Sequence, residues 1–529
     1  MGTRVRFPLT LAVALMAGFI ALSYEILWYR AFSFVSWSRP TVFGLLLGCY
    51  LFGVALGSFG SRRFCRDTES AGALRALAWF VFFSDVVGFL VIPTLARLAH
   101  ATWFPAFGVV ALSAGLLGAV LPLVAHFGIP ADDRAGQRLS YVYLANIIGS
   151  AGGSFLTGFV LMDAWSTPVI SIFLGFVGLA MVALLLMASS LASRPTKAAL
   201  SAGLGAVVLA GAGAVAASPV LFDHLYERLL YKELYSPEQA FVEVVENRHG
   251  VIAVNPYQQV FGGGAYDGAF NVSLVDDKNV IERAFAVAAL HPQPKQVLMI
   301  GLSSGSWAHV VSHLPGVEHL TIVEINPGYL ELIGRQPQVK SLLSNPKVDI
   351  VIDDGRRWLL RHPERKFDFI VMNATYHFRA HITNLLSVEF LELARAHLLP
   401  GGVHYFNTTS SEDVQRTAAT VFPHAMRVIN FVAVSDSPLG FDPVRWERAL
   451  REVVIDGLPA LDLNEPHQRD VLSRLLALGK SLDEREYAFY ALERRDALLA
   501  RTAAAQIVTD DNMVCEWEDL LRFPKGSNL

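Results

Sequence analysis

Cysteine is nearly absent: Cys49, Cys65 and Cys515 stand far apart in a chain of 529 residues. That spacing excludes a disulfide framework and a zinc site built on cysteine pairs. Charge is thin as well, with Asp, Glu, Lys and Arg at 17% of residues and a mean hydropathy of +0.41. Soluble domains carry about 25% charged residues, so part of this chain must lie in lipid. The little charge present is unevenly divided. Residues 1–217 hold 13 Lys and Arg against 7 Asp and Glu, and the rest holds 30 against 40. A cleaved secretory leader is not expected, because the first apolar run, 7–29, exceeds a leader's apolar core and shows no small-residue cleavage site.

What is present in the first part is a series of apolar runs long enough to cross roughly 30 Å of hydrocarbon. They fall at about 7–29, 41–60, 73–95, 103–126, 139–162, 168–188 and 198–217. Basic residues gather at Arg4/Arg6, Arg62/Arg63/Arg66, Arg134/Arg138 and Arg194/Lys197, in every second loop. Basic loops stay inside, so seven crossings would leave the second half outside. A second half that works in the cytoplasm would conflict with that count. The Gly- and Ala-rich seventh run would reconcile the two if it were re-entrant or interfacial. Glu25 and Asp85 are the groups lipid should reject, and helix-to-helix hydrogen bonding to Arg30, Asn146 or a carbonyl is the simpler account, a polar substrate cavity the other. Glycines at 53–60 and 149–154 have the spacing of close helix contacts.

The second half changes rhythm. A short amphipathic helix is expected at 223–235 and short strands at 240–275. Apolar runs at 296–300, 320–323, 348–352, 367–372 and 403–406 then alternate with helical stretches, which implies a parallel, doubly wound sheet. Ligands on such sheets bind at the carboxyl ends of strands. The first strand runs into Gly301-Leu302-Ser303-Ser304-Gly305-Ser306, a tight turn whose small residues let the backbone approach a ligand before the next helix starts. The second ends at Glu324, where a carboxylate can accept from both hydroxyls of a ribose. The third ends at Asp353-Asp354, suited to an adenine amino group, with a helix N-cap as the plain alternative. After residue 442 the chain reads as charged, solvated helices.

Through these motifs residues 240–410 resemble the spermidine synthase family of aminopropyltransferases, and the whole chain resembles its membrane-fused bacterial branch, with a Tyr-Glu pair in the first helix and a late Thr509-Asp510-Asp511. The resemblance implies a transmembrane helical bundle (1–217), a linker helix and β cap (218–290), a Rossmann-like, methyltransferase-type α/β domain (291–435) and a helical extension (436–529). It implies that Gly301, Ser303, Ser304 and Gly305 form the donor loop, that Glu324 holds ribose, and that Asp353 and Asp354 hold adenine. It also places Tyr257, Gln258, Tyr266 and Asp267 in the cap's substrate elements. The donor implied is S-adenosylmethionine or its decarboxylated form, without a metal.

The chain departs from the family where chemistry is done. Ser304 stands for an amine-binding Asp, and Asn373-Ala374-Thr375-Tyr376 replaces an Asp-Ser-x-Asp run, so three acids are missing. Standard spermidine synthesis is therefore not expected. In their place come Asn373, Tyr376, His377, Arg379, His381 and Asn384, a set suited to an acidic or phosphate-bearing acceptor, with His377 or His381 as base. A polar loop at a domain edge is the plain alternative. Two functions remain: a membrane-bound transferase alkylating an acceptor, and a non-catalytic nucleoside- or polyamine-binding transporter or sensor. Expected partners are the lipid bilayer, a small-molecule acceptor and a second copy of the chain, with no nucleic acid. The expected location is the inner membrane, multi-pass, with the soluble domain cytoplasmic.

Overall fold

The computed structural model describes residues 3–65, 71–193, 197–374, 376–478 and 492–517. Arg66, Arg194, Thr375 and the charged run at 483–486 lie outside them. Among the described residues, seven helices are long and apolar enough to cross a membrane: α1 Phe7–Val35, α2 Thr41–Phe64, α3 Leu74–Leu98, α4 Ala106–Gly128, α5 Ala135–Ala164, α6 Thr167–Ser190 and α7 Leu200–Leu221. They coincide with the seven expected runs. The re-entrant seventh segment is not what forms: α7 is a continuous helix of 22 residues.

Glycines let these helices touch. A Cβ at Gly57 would sit 1.7 Å from the Gly115 carbonyl oxygen, and one at Gly149 would sit 1.9 Å from that of Leu15. The α2–α4 and α1–α5 pairs thus meet backbone to backbone, as small-residue spacing allows. Asp85 accepts from the Tyr24 hydroxyl at 3.3 Å, and Asn146 donates to the Ala14 carbonyl. The expected Arg30 partner is not used within the bundle. Arg30 reaches Glu246 of the soluble half instead.

The linker is a short helix, α8 Leu225–Tyr231, buried along its length rather than amphipathic at a surface. A four-stranded antiparallel cap follows, β1 Glu243–Asn247, β2 Gly250–Val254, β3 Gln259–Gly262 and β4 Ala265–Ala269. Next come α9 Glu282–Leu290, β5 Gln296–Ile300, α10 Ser306–His313, β6 His319–Glu324, α11 Gly328–Arg335, β7 Val348–Ile352, α12 Gly355–Arg361, β8 Phe367–Met372, α13 Val388–Ala396, β9 Leu398–Asn407, α14 Glu412–Val421, β10 His424–Val428, β11 Phe431–Ser435 and, much later, β12 Leu492–Arg494. The eight-stranded sheet runs β12-β10-β11-β9-β8-β5-β6-β7. Its five-strand half is parallel, but β10, β11 and β12 are antiparallel. The sheet is therefore mixed: the five strands expected to be parallel are so, and three strands paired antiparallel extend it. Helices cover both faces, and two apolar cores result, one on each side.

The bundle and the soluble half share a joint. Glu246 at the end of β1 accepts from Arg30, from the backbone and hydroxyl of Thr167, and from the Tyr226 hydroxyl. Chain alternation places Arg62/Arg63 and Arg134/Arg138 at the bundle's far end from this joint.

Candidate functional site

Three adjacent strand ends carry the nucleoside-side residues. Beyond β5 the chain enters left-handed conformations at Gly301 (φ 87°), Ser303 (φ 49°) and Gly305 (φ 76°). Ser303 costs backbone energy there, which its hydroxyl offsets by donating to the Asp267 carbonyl at 2.6 Å. Ser306 ties the same loop to β4 by donating to the Ala269 carbonyl at 2.8 Å. Ser304 donates to the Ser306 hydroxyl at 3.1 Å and accepts from the Ser306 N–H.

Glu324 is 3% exposed. One carboxylate oxygen accepts from the Leu302 N–H at 2.6 Å, the other from the Asn326 N–H at 2.7 Å. Burial pushes its carboxyl up, more than these donors hold it down. Glu324 thus clamps the glycine loop, and these donors together with the Ser303 N–H do not exhaust a carboxylate's roughly four lone-pair sites. Asp354 Oδ1 caps α12 by accepting from the Arg357 N–H at 2.7 Å, as the N-cap alternative has it, while Oδ2 is a separate acceptor. Around Asp353, burial is outweighed by Arg357, the Asp354 N–H and Arg361, which hold the carboxyl below its usual range.

The cap supplies a second layer. Asp267 accepts from Arg379 Nη1 at 2.9 Å and from the Tyr329 hydroxyl. Arg379 Nη2 donates to the Gly262 carbonyl at 3.0 Å, so the expected anion-binding Arg379 is spent on holding the cap. Tyr266 donates to Asn279 Oδ1 at 3.0 Å. Tyr257 is 69% exposed at the β2–β3 turn, beside Tyr231, and Gln258 (φ 66°) shapes that turn; neither bonds the glycine loop.

The 373–384 loop is split. Asn373 accepts from Asn407 Nδ2 at 3.1 Å. His377 sits on Thr409, its backbone N–H and Nδ1 both meeting that hydroxyl. Burial and the nearby Arg39 push His377 down to about 4, so its ring is neutral. His381 is exposed and its backbone N–H is held by Glu516 at 2.9 Å, and the Asn384 carbonyl accepts from Arg356 on α12.

Sequence reasoning missed that the bundle builds one wall. In the α1–α2 turn, Ser38 accepts the Ala380 N–H at 2.8 Å and donates to the Gly263 carbonyl at 3.0 Å. Trp37 packs on Tyr376, ring centres 5.6 Å apart, and Arg39 lies 4.4 Å over Phe378. Trp37, Ser38 and Tyr376 all have positive φ, strain retained where two loops lock together. Glu282, beside Asp277, was also missed, and burial pushes its carboxyl up.

Residues 284–432 match the spermine/spermidine synthase domain. These residues form a spermidine synthase-like domain. A polyamine aminopropyltransferase of Mycobacterium tuberculosis is 27% identical over 311 residues, 55% of this chain and 56% of that relative. The chain thus spans little more than half the length of that relative. Polyamine aminopropyltransferase 1 of Streptomyces coelicolor is 24% identical over 413 residues and 75% of each chain, more than the soluble half alone supplies. The crystal structure of spermidine synthase from Thermotoga maritima covers 45% of this chain and 89% of its own, with a TM-score of 0.34 and 18% identity.

Proposed function

We propose that this spermidine synthase-like protein is an inner-membrane transferase that binds S-adenosylmethionine or its decarboxylated form and alkylates a small-molecule acceptor presented at the bilayer surface. One observation carries the reading: the ends of β5, β6 and β7, adjacent in the sheet, bring the glycine loop, Glu324 and Asp353/Asp354 side by side. In this reading Gly301, Ser303, Ser304 and Gly305 let the nucleoside approach the backbone, Glu324 uses its remaining lone pairs on ribose, and Asp353 and Asp354 face adenine. Tyr266, Asp267 and Tyr376 line the acceptor side. The acceptor's lone pair attacks the carbon next to the sulfonium, the C–S bond breaks, and a thioether nucleoside leaves. Asn373 cannot take the acceptor's proton, which passes to neutral His377 or to water.

The contact of the α1–α2 turn with residues 376–380 supports delivery of the acceptor from the bundle side. Mass spectrometry of the nucleoside that co-purifies in detergent tests the reading, and a preparation that carries and binds no adenosyl nucleoside refutes it. A second reading, a nucleoside-binding module without catalysis, is favoured by one feature: the basic loops cluster at the end of the bundle away from the soluble half, the pattern of a domain outside the cytoplasm.

A further inference from the structure

Asn373 directly follows β8, and because Ile300 pairs with Met372 it stands beside Gly301. On its other side Met372 pairs with Phe406, which puts Asn407 next to it. Three amides and one guanidinium then form a directed chain. Arg283 Nη1 donates to Asn430 Oδ1 at 2.7 Å, Asn430 Nδ2 donates to Asn407 Oδ1 at 3.0 Å, and Asn407 Nδ2 donates to Asn373 Oδ1 at 3.1 Å.

The direction cannot be reversed. A guanidinium has five N–H donors and no acceptor, so Asn430 must turn its oxygen to Arg283 and its nitrogen to Asn407. Arg283 is itself fixed, buried over Trp307 and Phe431 and donating to the Asn279 and Val280 carbonyls. Asn407 is fixed a second time, since its oxygen also accepts the Thr409 backbone N–H at 2.8 Å. Asn373 must therefore spend its oxygen on Asn407. Its half-buried Nδ2 has no acceptor among the described residues, at the strand end where ligands bind.

We infer that this amide chain makes Asn373 a hydrogen-bond donor to the ligand, so that the site selects an adenosyl nucleoside that keeps its amino-acid carboxylate over one whose tail ends in a bare ammonium. The inference rests on the proposed nucleoside site and names its ligand class. Two groups that could meet an ammonium are weakened for it: Ser304 is a neutral hydroxyl bonded to Ser306, and Asp267 is already held by Arg379 and Tyr329. Asn407 is a positioning residue, acting through Asn373.

Titration calorimetry of the full chain in detergent, with S-adenosylmethionine and decarboxylated S-adenosylmethionine as the two probes, tests it. The parent should bind the carboxylated nucleoside about tenfold or more tighter, the scale of one hydrogen bond to a charged group. Asn373→Asp should reverse the ratio. Asn407→Asp offers only acceptors, so Asn373 must flip and turn its oxygen outward; the preference should vanish although residue 373 is unchanged. Circular dichroism and gel filtration establish that each variant is folded, and Asn373→Ser, which removes the amide without adding charge, should equalise the probes if the Asp variant does not fold. If neither probe binds the parent, the proposed nucleoside site falls and this inference with it. If both bind but the parent prefers the decarboxylated form, or the ratio is the same in all variants, the nucleoside site stands and the inference is overturned.

Discussion

Replacing Glu246 by Ala should uncouple the two halves. One carboxylate oxygen of Glu246 gathers Arg30 at 3.2 Å, the Thr167 N–H at 2.9 Å, the Thr167 hydroxyl at 2.6 Å and the Tyr226 hydroxyl at 2.8 Å. The side chains of Arg30 and Glu246 are 6% and 11% exposed. Truncation leaves a buried guanidinium without its counter-charge, which costs about 3–5 kcal/mol. Glu246→Gln keeps an oxygen for the donors and loses only the charge, a smaller cost of about 1–3 kcal/mol. Thermal melts in detergent, followed by circular dichroism, should show the first unfolding step of the Ala variant about 5–10 °C below the parent's, with Gln between them. An Ala variant that melts within about 2 °C of the parent would refute the joint.

His404 is fully buried with its Nδ1 on the Ile370 carbonyl, and burial pushes it down to about 4; its unfolded form titrates near 6.5. The unfolded chain thus binds the extra proton between these values, so stability should fall by up to about 3 kcal/mol as pH drops from 6.5 to 4, and His404→Phe should flatten that slope in pH-dependent melts. Putrescine should not be aminopropylated efficiently, because loss of a general base costs about 10²–10⁴-fold; spermidine formation in a radiolabel assay at a rate typical of soluble relatives would overturn this. A reporter fused after Leu529 should fluoresce as green fluorescent protein and be inactive as alkaline phosphatase if the donor is cytoplasmic, whereas strong phosphatase activity would favour the binding module.

The bundle was readable because a spanning helix is one long apolar run, and the parallel strands because each is a short one ending in a polar group. The β7 and β8 bounds match their apolar runs to the residue. The β10–β11 hairpin was missed since His424 and Arg427 interrupt its pattern, and β12 because a three-residue edge strand carries no period. At the site, the positions of the glycine loop, Glu324 and Asp354 were legible because each stands at or just after the end of its own strand. Arg379 and His381 could not, since one is spent on Asp267, brought near by the cap, and the other is held by Glu516, far along the chain. The Asn373–Asn407–Asn430–Arg283 chain joins four distant segments, and no local motif marks any member.

Binding of an adenosyl nucleoside through Glu324 is the central claim, and calorimetry on the parent and Glu324→Ala measures it. Methylthioadenosine should bind the parent and lose about 10–100-fold in the variant, the worth of a carboxylate hydrogen bond to ribose. Because Glu324 also clamps Leu302 and Asn326, the 2′-deoxy nucleoside completes a cycle: it should bind the parent weakly and the variant no worse. Equal binding of methylthioadenosine to parent and variant, or no binding to either, would contradict the account.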